Sequence, residues 1–225
     1  MFIILLHAIS IDLAPQGTWQ FISAALLRNP QRIQTIEDDR ESAIHVLTWL
    51  ALRYTTHDDV QNLSSYLKVY DEVDPHQSES NATGGRAKGD NFSSQVFPTF
   101  ASDPLNRLFA VVRKTFSARY GNTYSDEAIK KARDHVAHAE SYPGLDPALF
   151  YDLPQYVYGC HMEALEKPNW LVDVFNEQLK SDDWPLDDKA KSNPLTSSTG
   201  SAQKRASAQA ALEDRALGSN SKRRR

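Results

Sequence analysis

Few residues in this chain sit at spacings that do chemistry, and the first to weigh is His135-x-x-His138. Residues three apart on a helix share a face, so the two imidazoles would project together. Asp134 and the pair Cys160-His161 are the other donors within reach of such a site. Zinc needs three or four converging ligands, and two histidines alone fit a polar helix face better. The single cysteine, Cys160, excludes a disulfide framework and a multi-cysteine zinc site. Ser-His-Asp catalysis has no nucleophile-elbow motif to support it. Gly84-Gly85-Arg-Ala-Lys88 pairs flexible backbone with two cations, the makings of an anion cradle. Its polar surroundings favour a loop. Last come Asp38 and Asp39, which head the most apolar stretch of the chain. A carboxylate there can cap the free amides of a helix.

The elements that must position these residues are mostly helical. Asp38 to Tyr54 predicts a helix with a capping-box acid, Glu41, three residues after Asp38. Its run Ala43 to Leu52 is apolar on nearly every face, which predicts a central helix ringed by others. Gly17 to Leu27 predicts a short helical turn that ends before Asn29-Pro30. Asp59 to Val69 predicts a helix with Val60, Leu63, Tyr66 and Leu67 on one face. Residues 71–101 are polar and read as a long loop with a turn at Gly84-Gly85. Asp103-Pro104 opens a strong helix, with Asp103 as cap, that runs to about Gly121. Ser125 caps the next, and Asp126 and Glu127 suit its positive end. Residues Leu145 to Tyr158 carry no clear period, and Pro168 to Leu179 predicts a final amphipathic helix.

Composition sets the frame. Of 225 residues, 40% are hydrophobic and 24% charged, which excludes wholesale disorder. The net charge of −4 hides an asymmetry. Residues 192–225 hold seven basic and two acidic residues, so the preceding body is strongly acidic. That tail has little to bury, and disorder is the expectation for 191–225. Its clusters Lys204-Arg205 and Lys222-Arg-Arg-Arg225 suit either a nuclear address or a plain solvated tail. It lacks interleaved aromatics, which argues against nucleic acid as a partner. Residues 1–14 are apolar without a preceding basic residue, which favours a buried strand or an irregular start over a secretory signal. No apolar run is long enough to cross a membrane. The expectation is an intracellular chain, cytoplasmic or nuclear.

Two segments carry a family resemblance. Gly17-Thr-Trp-Gln-Phe-Ile-Ser-Ala-Ala-Leu-Leu27, followed by Asp38-Asp-Arg-Glu-Ser and its hydrophobic helix, resembles the fungal-type protein kinase family in order and separation. Weaker likenesses are Pro104-Leu-Asn-Arg-Leu108 and Asp183-Trp-Pro-Leu-Asp-Asp188. The resemblance covers residues 15–190. It implies a mainly α fold, the C-terminal lobe of a protein kinase-like domain around a buried central helix. It assigns Gly17, Thr18 and Trp19 to the peptide-side loop and Asp39 to anchoring the catalytic loop. The family activity it implies is ATP-dependent, magnesium-assisted phosphorylation of Ser or Thr. Ser23-Ala24-Ala25 replaces the usual Ala-Pro-Glu, so the familiar Glu–Arg pair is not expected.

Phosphoryl transfer needs named parts, and these 225 residues lack them. There is no Gly-x-Gly-x-x-Gly, no lysine before Lys68, no His-Arg-Asp and no Asp-Phe-Gly. Asp12 is the one residue that resembles a remnant of the magnesium-binding region. The expectation is a lobe without catalytic residues, ATP or metal of its own, inactive alone. The alternative is a helical interaction protein or degenerate pseudokinase fragment that takes a protein partner on the exposed face of the lobe.

Overall fold

The computed structural model describes residues 18–72, 84–185 and 190–191. The apolar start at 1–14, Asp12, Gly17, part of the expected loop, residues 186–189 and the basic tail from 192 lie outside the described residues. Within them the chain is mainly helical and contains no strand, only one antiparallel bridge between His57 and Phe100. The helices are α1 (Ala24–Arg28), α2 (Ile36–Tyr54), α3 (Leu63–Lys68), α4 (Arg86–Ser93), α5 (Asp103–Ser117), α6 (Asp126–Ser141), α7 (Ala148–Tyr151), α8 (Pro154–Glu166) and α9 (Trp170–Leu179). Single 3-10 turns at Trp19–Phe21, Val60–Asn62 and Val69–Asp71 flank the first three. None of the helices is long and apolar enough to cross a membrane.

Local chemistry sets the helix starts. Thr35 heads α2, and its amide donates to the Asp38 carboxylate at 2.9 Å. The cap is therefore Thr35, three residues before Asp38, and neither Asp38 nor Asp39 serves as one. An acid at the third helical position satisfies the free amide before the helix and faces the positive dipole end. Ser102 precedes α5, which places Asp103 and Pro104 in its first turn, where a missing N–H costs nothing. Ser125 caps α6 by accepting from the Ala128 amide at 3.3 Å.

The core gathers Ile44, Ala51 and Leu52 from α2, Leu63 and Leu67 from α3, and Phe92 from α4, with Phe100 and Leu165. The largest share comes from α5, through Leu105, Leu108, Phe109, Val112 and Phe116. Aromatic rings interlock there. Phe116 stacks on Phe92 at 5.3 Å and meets the edge of Trp170 at 5.8 Å. Phe100 and Phe109 lie 5.2 Å apart.

Two expectations need correction, and one stretch without a clear period is filled in. First, α2 is not ringed on all sides. Its buried arc carries Asp38, Arg40, Glu41, Ile44, His45, Thr48, Ala51 and Leu52, while Ala43, Val46 and Leu50 face outward among the described residues. Second, residues 71–101 are not one loop, because α4 lies within them and buries Phe92 and Lys88. Third, the proline-punctuated stretch 145–158 folds into α7 and the first turn of α8. Gly159 on α8 permits close approach to α6. A β-carbon there would lie 2.6 Å from Ile129 Cγ2.

Truncating Phe116 to alanine removes a side chain with no exposed surface. Urea unfolding should show a loss of about 3–5 kcal/mol. Val111→Ala, on the exposed side of the same helix, should stay within about 0.5 kcal/mol.

Candidate functional site

The turn Thr18–Ile22 is held from three directions. Trp19 Nε1 donates to the Glu72 carbonyl at 3.0 Å, and Gln20 donates to Asp71 at 3.0 Å. Phe21 sets its ring edge-on to Trp49 of α2 at 5.9 Å and lies 6.5 Å from Tyr70. Lys88 of α4 donates Nζ to the carbonyls of Trp19 at 2.8 Å and Ile22 at 3.3 Å. Burial pushes the Lys88 ammonium down to about 8, against the opposing pull of Glu41, Glu72 and Asp71. The Gly84-Gly85-Arg-Ala-Lys88 pattern is thus neither an anion cradle nor a loop. Gly85 adopts φ 78° at the head of α4, where a β-carbon would sit 2.8 Å from the Ala24 carbonyl. The lysine turns inward and fastens the tryptophan turn.

Beneath this turn lies a buried charge cluster. Ser23 donates to Asp38 Oδ1 at 2.9 Å, and the Ala24 amide donates to Glu41 Oε1 at 2.7 Å. Arg119, just after α5, reaches both acids, at 2.7 Å to Asp38 and 2.6 Å to Glu41. Tyr120 donates a short hydrogen bond to Glu41 Oε2 and accepts the Ala25 amide at 3.2 Å. His45 lies 3.2 Å from Glu41, and Arg32 approaches Asp38 at 3.2 Å. Burial alone would raise both carboxyls. For Asp38, hydrogen bonds from Arg119, the Thr35 amide and Ser23 outweigh it, and its pKa lies below the ordinary value. For Glu41, the hydrogen bond and charge of His45, the charge of Arg119 and the Tyr120 hydroxyl do the same. Burial and the neighbouring Glu41 push the Tyr120 phenol up, so it stays a donor.

The acid that matters structurally is therefore Asp38, with Glu41. Asp39, the residue marked by the family resemblance, points outward and takes a hydrogen bond from Gln34. Thr18 is exposed, and its carbonyl accepts from the Phe21 amide at 2.8 Å. Of the two described members of the peptide-side trio, Trp19 is the one whose side chain is held by a partner. The buried cluster had a readable trace: Asp38 and Glu41 lie three apart, one turn from His45. Arg119 and Tyr120, some eighty residues on, left none.

The two weaker motifs also meet. Arg107 of α5 contacts Asp183 at 3.3 Å and donates to Ser181 at 2.8 Å. Trp184 Nε1 donates to the Gln178 carbonyl at 2.9 Å. Beside this junction α2, α5 and α9 frame an apolar groove of about 470 Å³, with Leu47, Leu50, Leu105, Phe175, Leu179 and Trp184 on its walls. His135 stacks on Phe150 at 6.1 Å and His138 lies 5.8 Å from Tyr142. Among the described residues no three His, Cys, Asp or Glu side chains converge on a metal position.

Comparison with protein-family models, with curated proteins and with solved structures returned no match.

Arg119→Met leaves two buried acids without their shared cation, which should cost about 3–5 kcal/mol at neutral pH in denaturant titration. The acid limb supplies a second readout. Folded-state pKa values below the ordinary 3.8 and 4.5 mean that these carboxylates stabilise the fold above those values and lose that contribution as pH falls through the folded ones. Removing Arg119 raises both, so the acid unfolding midpoint should move to higher pH.

Proposed function

We propose that residues 15–190 form the C-lobe portion of a fungal-type protein kinase-like domain, and that these 225 residues act as a binding half and do not transfer phosphate alone. One observation carries the reading. The two segments on which the resemblance rests are fused in space by buried bonds, Ser23 to Asp38 and the Ala24 amide to Glu41. The two weaker segments are likewise joined, through Arg107 and Asp183. Their contact in pairs supports reading them as parts of one structural unit. The Thr18–Trp19 turn then belongs to the peptide side of the lobe. Its fastening by Lys88 and Glu72 gives it the rigidity that a docking loop needs.

The second reading, a non-enzymatic helical interaction protein or degenerate pseudokinase fragment, draws on the outward apolar residues of α2 and α9. Both readings share a protein partner and a chain without its own nucleotide site. The basic clusters of the tail would serve a nuclear address in either case.

Two assays follow, the first on what both readings share and the second on what separates them. Magnesium and ATP should leave the thermal midpoint of the purified chain unchanged, and a shift of several degrees would contradict catalytic incompetence. Mixing the chain with the N-lobe and catalytic loop of a complete fungal-type kinase should restore phosphorylation of a generic Ser/Thr substrate. Absence of both binding and activity in that mixture would remove the kinase reading and leave the second.

A further inference from the structure

Two hollows adjoin where the head of α2, the end of α5 and helices α6 and α8 meet. One, of about 330 Å³, lies between Thr35 and Glu37 on one side and Tyr158, Met162 and Glu166 of α8 on the other. The second, of about 320 Å³, lies between α6 and α8 beside Gly159. Met162 and Glu166 border both, so the two form one groove. All of its wall residues lie among the described residues. Its lining is partly hydrocarbon, from Ala118, Ile129, Met162 and Leu165. Exposed Ile33 and Ile36 extend that hydrocarbon at the mouth, in the same turn as the wall residues Arg32, Thr35 and Glu37.

The charges around the groove do not balance. Three of its cations are already committed. Arg119 pairs with Asp38 and Glu41, Arg32 pairs with Asp38 at 3.2 Å, and Arg133 pairs with Glu163 at 2.7 Å. Lys130 is the cation left over. On the acid side Glu37, Asp126 and Glu166 line the walls with no ion-pair partner among the described residues. The groove is therefore acidic, within a body that is itself acidic. Such a field draws in a basic partner and rejects an acidic one.

We propose that this groove binds a partner protein through a basic segment in which arginine or lysine alternates with large apolar residues. The cations pair with Glu37, Asp126 and Glu166, and the apolar side chains cover Ile33, Ile36 and the floor at Met162. The chain's own basic clusters have the charge for this groove but lack the hydrocarbon. Gln203-Lys-Arg-Ala206 and Ser221-Lys-Arg-Arg-Arg225 contain no large apolar side chain. The proposal does not rest on the kinase reading, since it uses only the groove, its unpaired acids and the isoleucines at its mouth.

The test titrates the full chain into a short fluorescent peptide of alternating arginine and leucine and reads anisotropy. Binding should saturate. Replacing both Glu37→Gln and Glu166→Gln should weaken it about tenfold. Both exchanges keep side-chain size, and an unchanged thermal midpoint verifies the fold. Glu177→Gln, which removes an exposed acid of α9 outside the groove, should leave the affinity as it was. Absence of saturation, an equal loss from Glu177→Gln, or equal affinity for a glutamate–leucine peptide would overturn the proposal. Equal affinity for a peptide of residues 192–225 would also overturn it, because charge alone would then suffice.

Discussion

A guanidinium shared between two buried acids is the constraint on which the structure turns. Asp38 and Glu41 have no exposed side-chain surface, and Arg119 is 9% exposed. Burying carboxylates is costly unless each is paired and its remaining lone pairs are filled. Here each is. Asp38 takes Ser23, Thr35, Arg32 and Arg119, and Glu41 takes the Ala24 amide, Tyr120, His45 and Arg119. The partners come from the segment before α1, from α2 and from the end of α5. One charge cluster thereby ties the segment Ser23–Ala24 to α2 and to the residues just after α5.

The turn depends on that foundation and on Lys88. Carbonyls at Trp19 and Ile22 point inward because the chain is not in a regular helix there, and an ammonium satisfies both. The positive φ of Gly85 lets the first turn of α4 press against the Ala24 backbone, which is what delivers Lys88 to the spot. A binding loop gains specificity when its shape is settled before the partner arrives. Here the shape of the turn is settled by hydrogen bonds from Lys88, Trp19 and Gln20.

Much of the helical order was legible in the sequence, for reasons that particular residues make plain. Ser125 announced α6 by capping it, and Asp103-Pro104 announced α5 as first-turn residues behind Ser102, not as its cap. The long helix at 36–54 was legible too, but its orientation was not. Apolar residues lie on every side of it, so periodicity could not reveal that Asp38, Glu41 and His45 face inward while Val46 and Leu50 face out. The inversion is a tertiary effect, since Arg119 and the surrounding donors offset the cost of burying the acid face. The same cluster buries Asp38 and leaves Asp39 exposed. Helix α4 was hidden because Arg86, Lys88, Gly89 and Asp90 resemble loop composition. Its stability comes from Phe92 in the core and from Lys88 on the tryptophan turn, contacts that no local window contains.

The central claim is that the charge cluster welds the segment before α1 to α2 as one unit. Native-state hydrogen exchange reads this directly. The amides of Ala24, Leu26 and Leu27 should exchange only on global unfolding, with the same free energy as Ile44 and Thr48 of α2. Fast exchange at Ala24 to Leu27 beside a still-protected α2 would show two independent pieces and contradict the account.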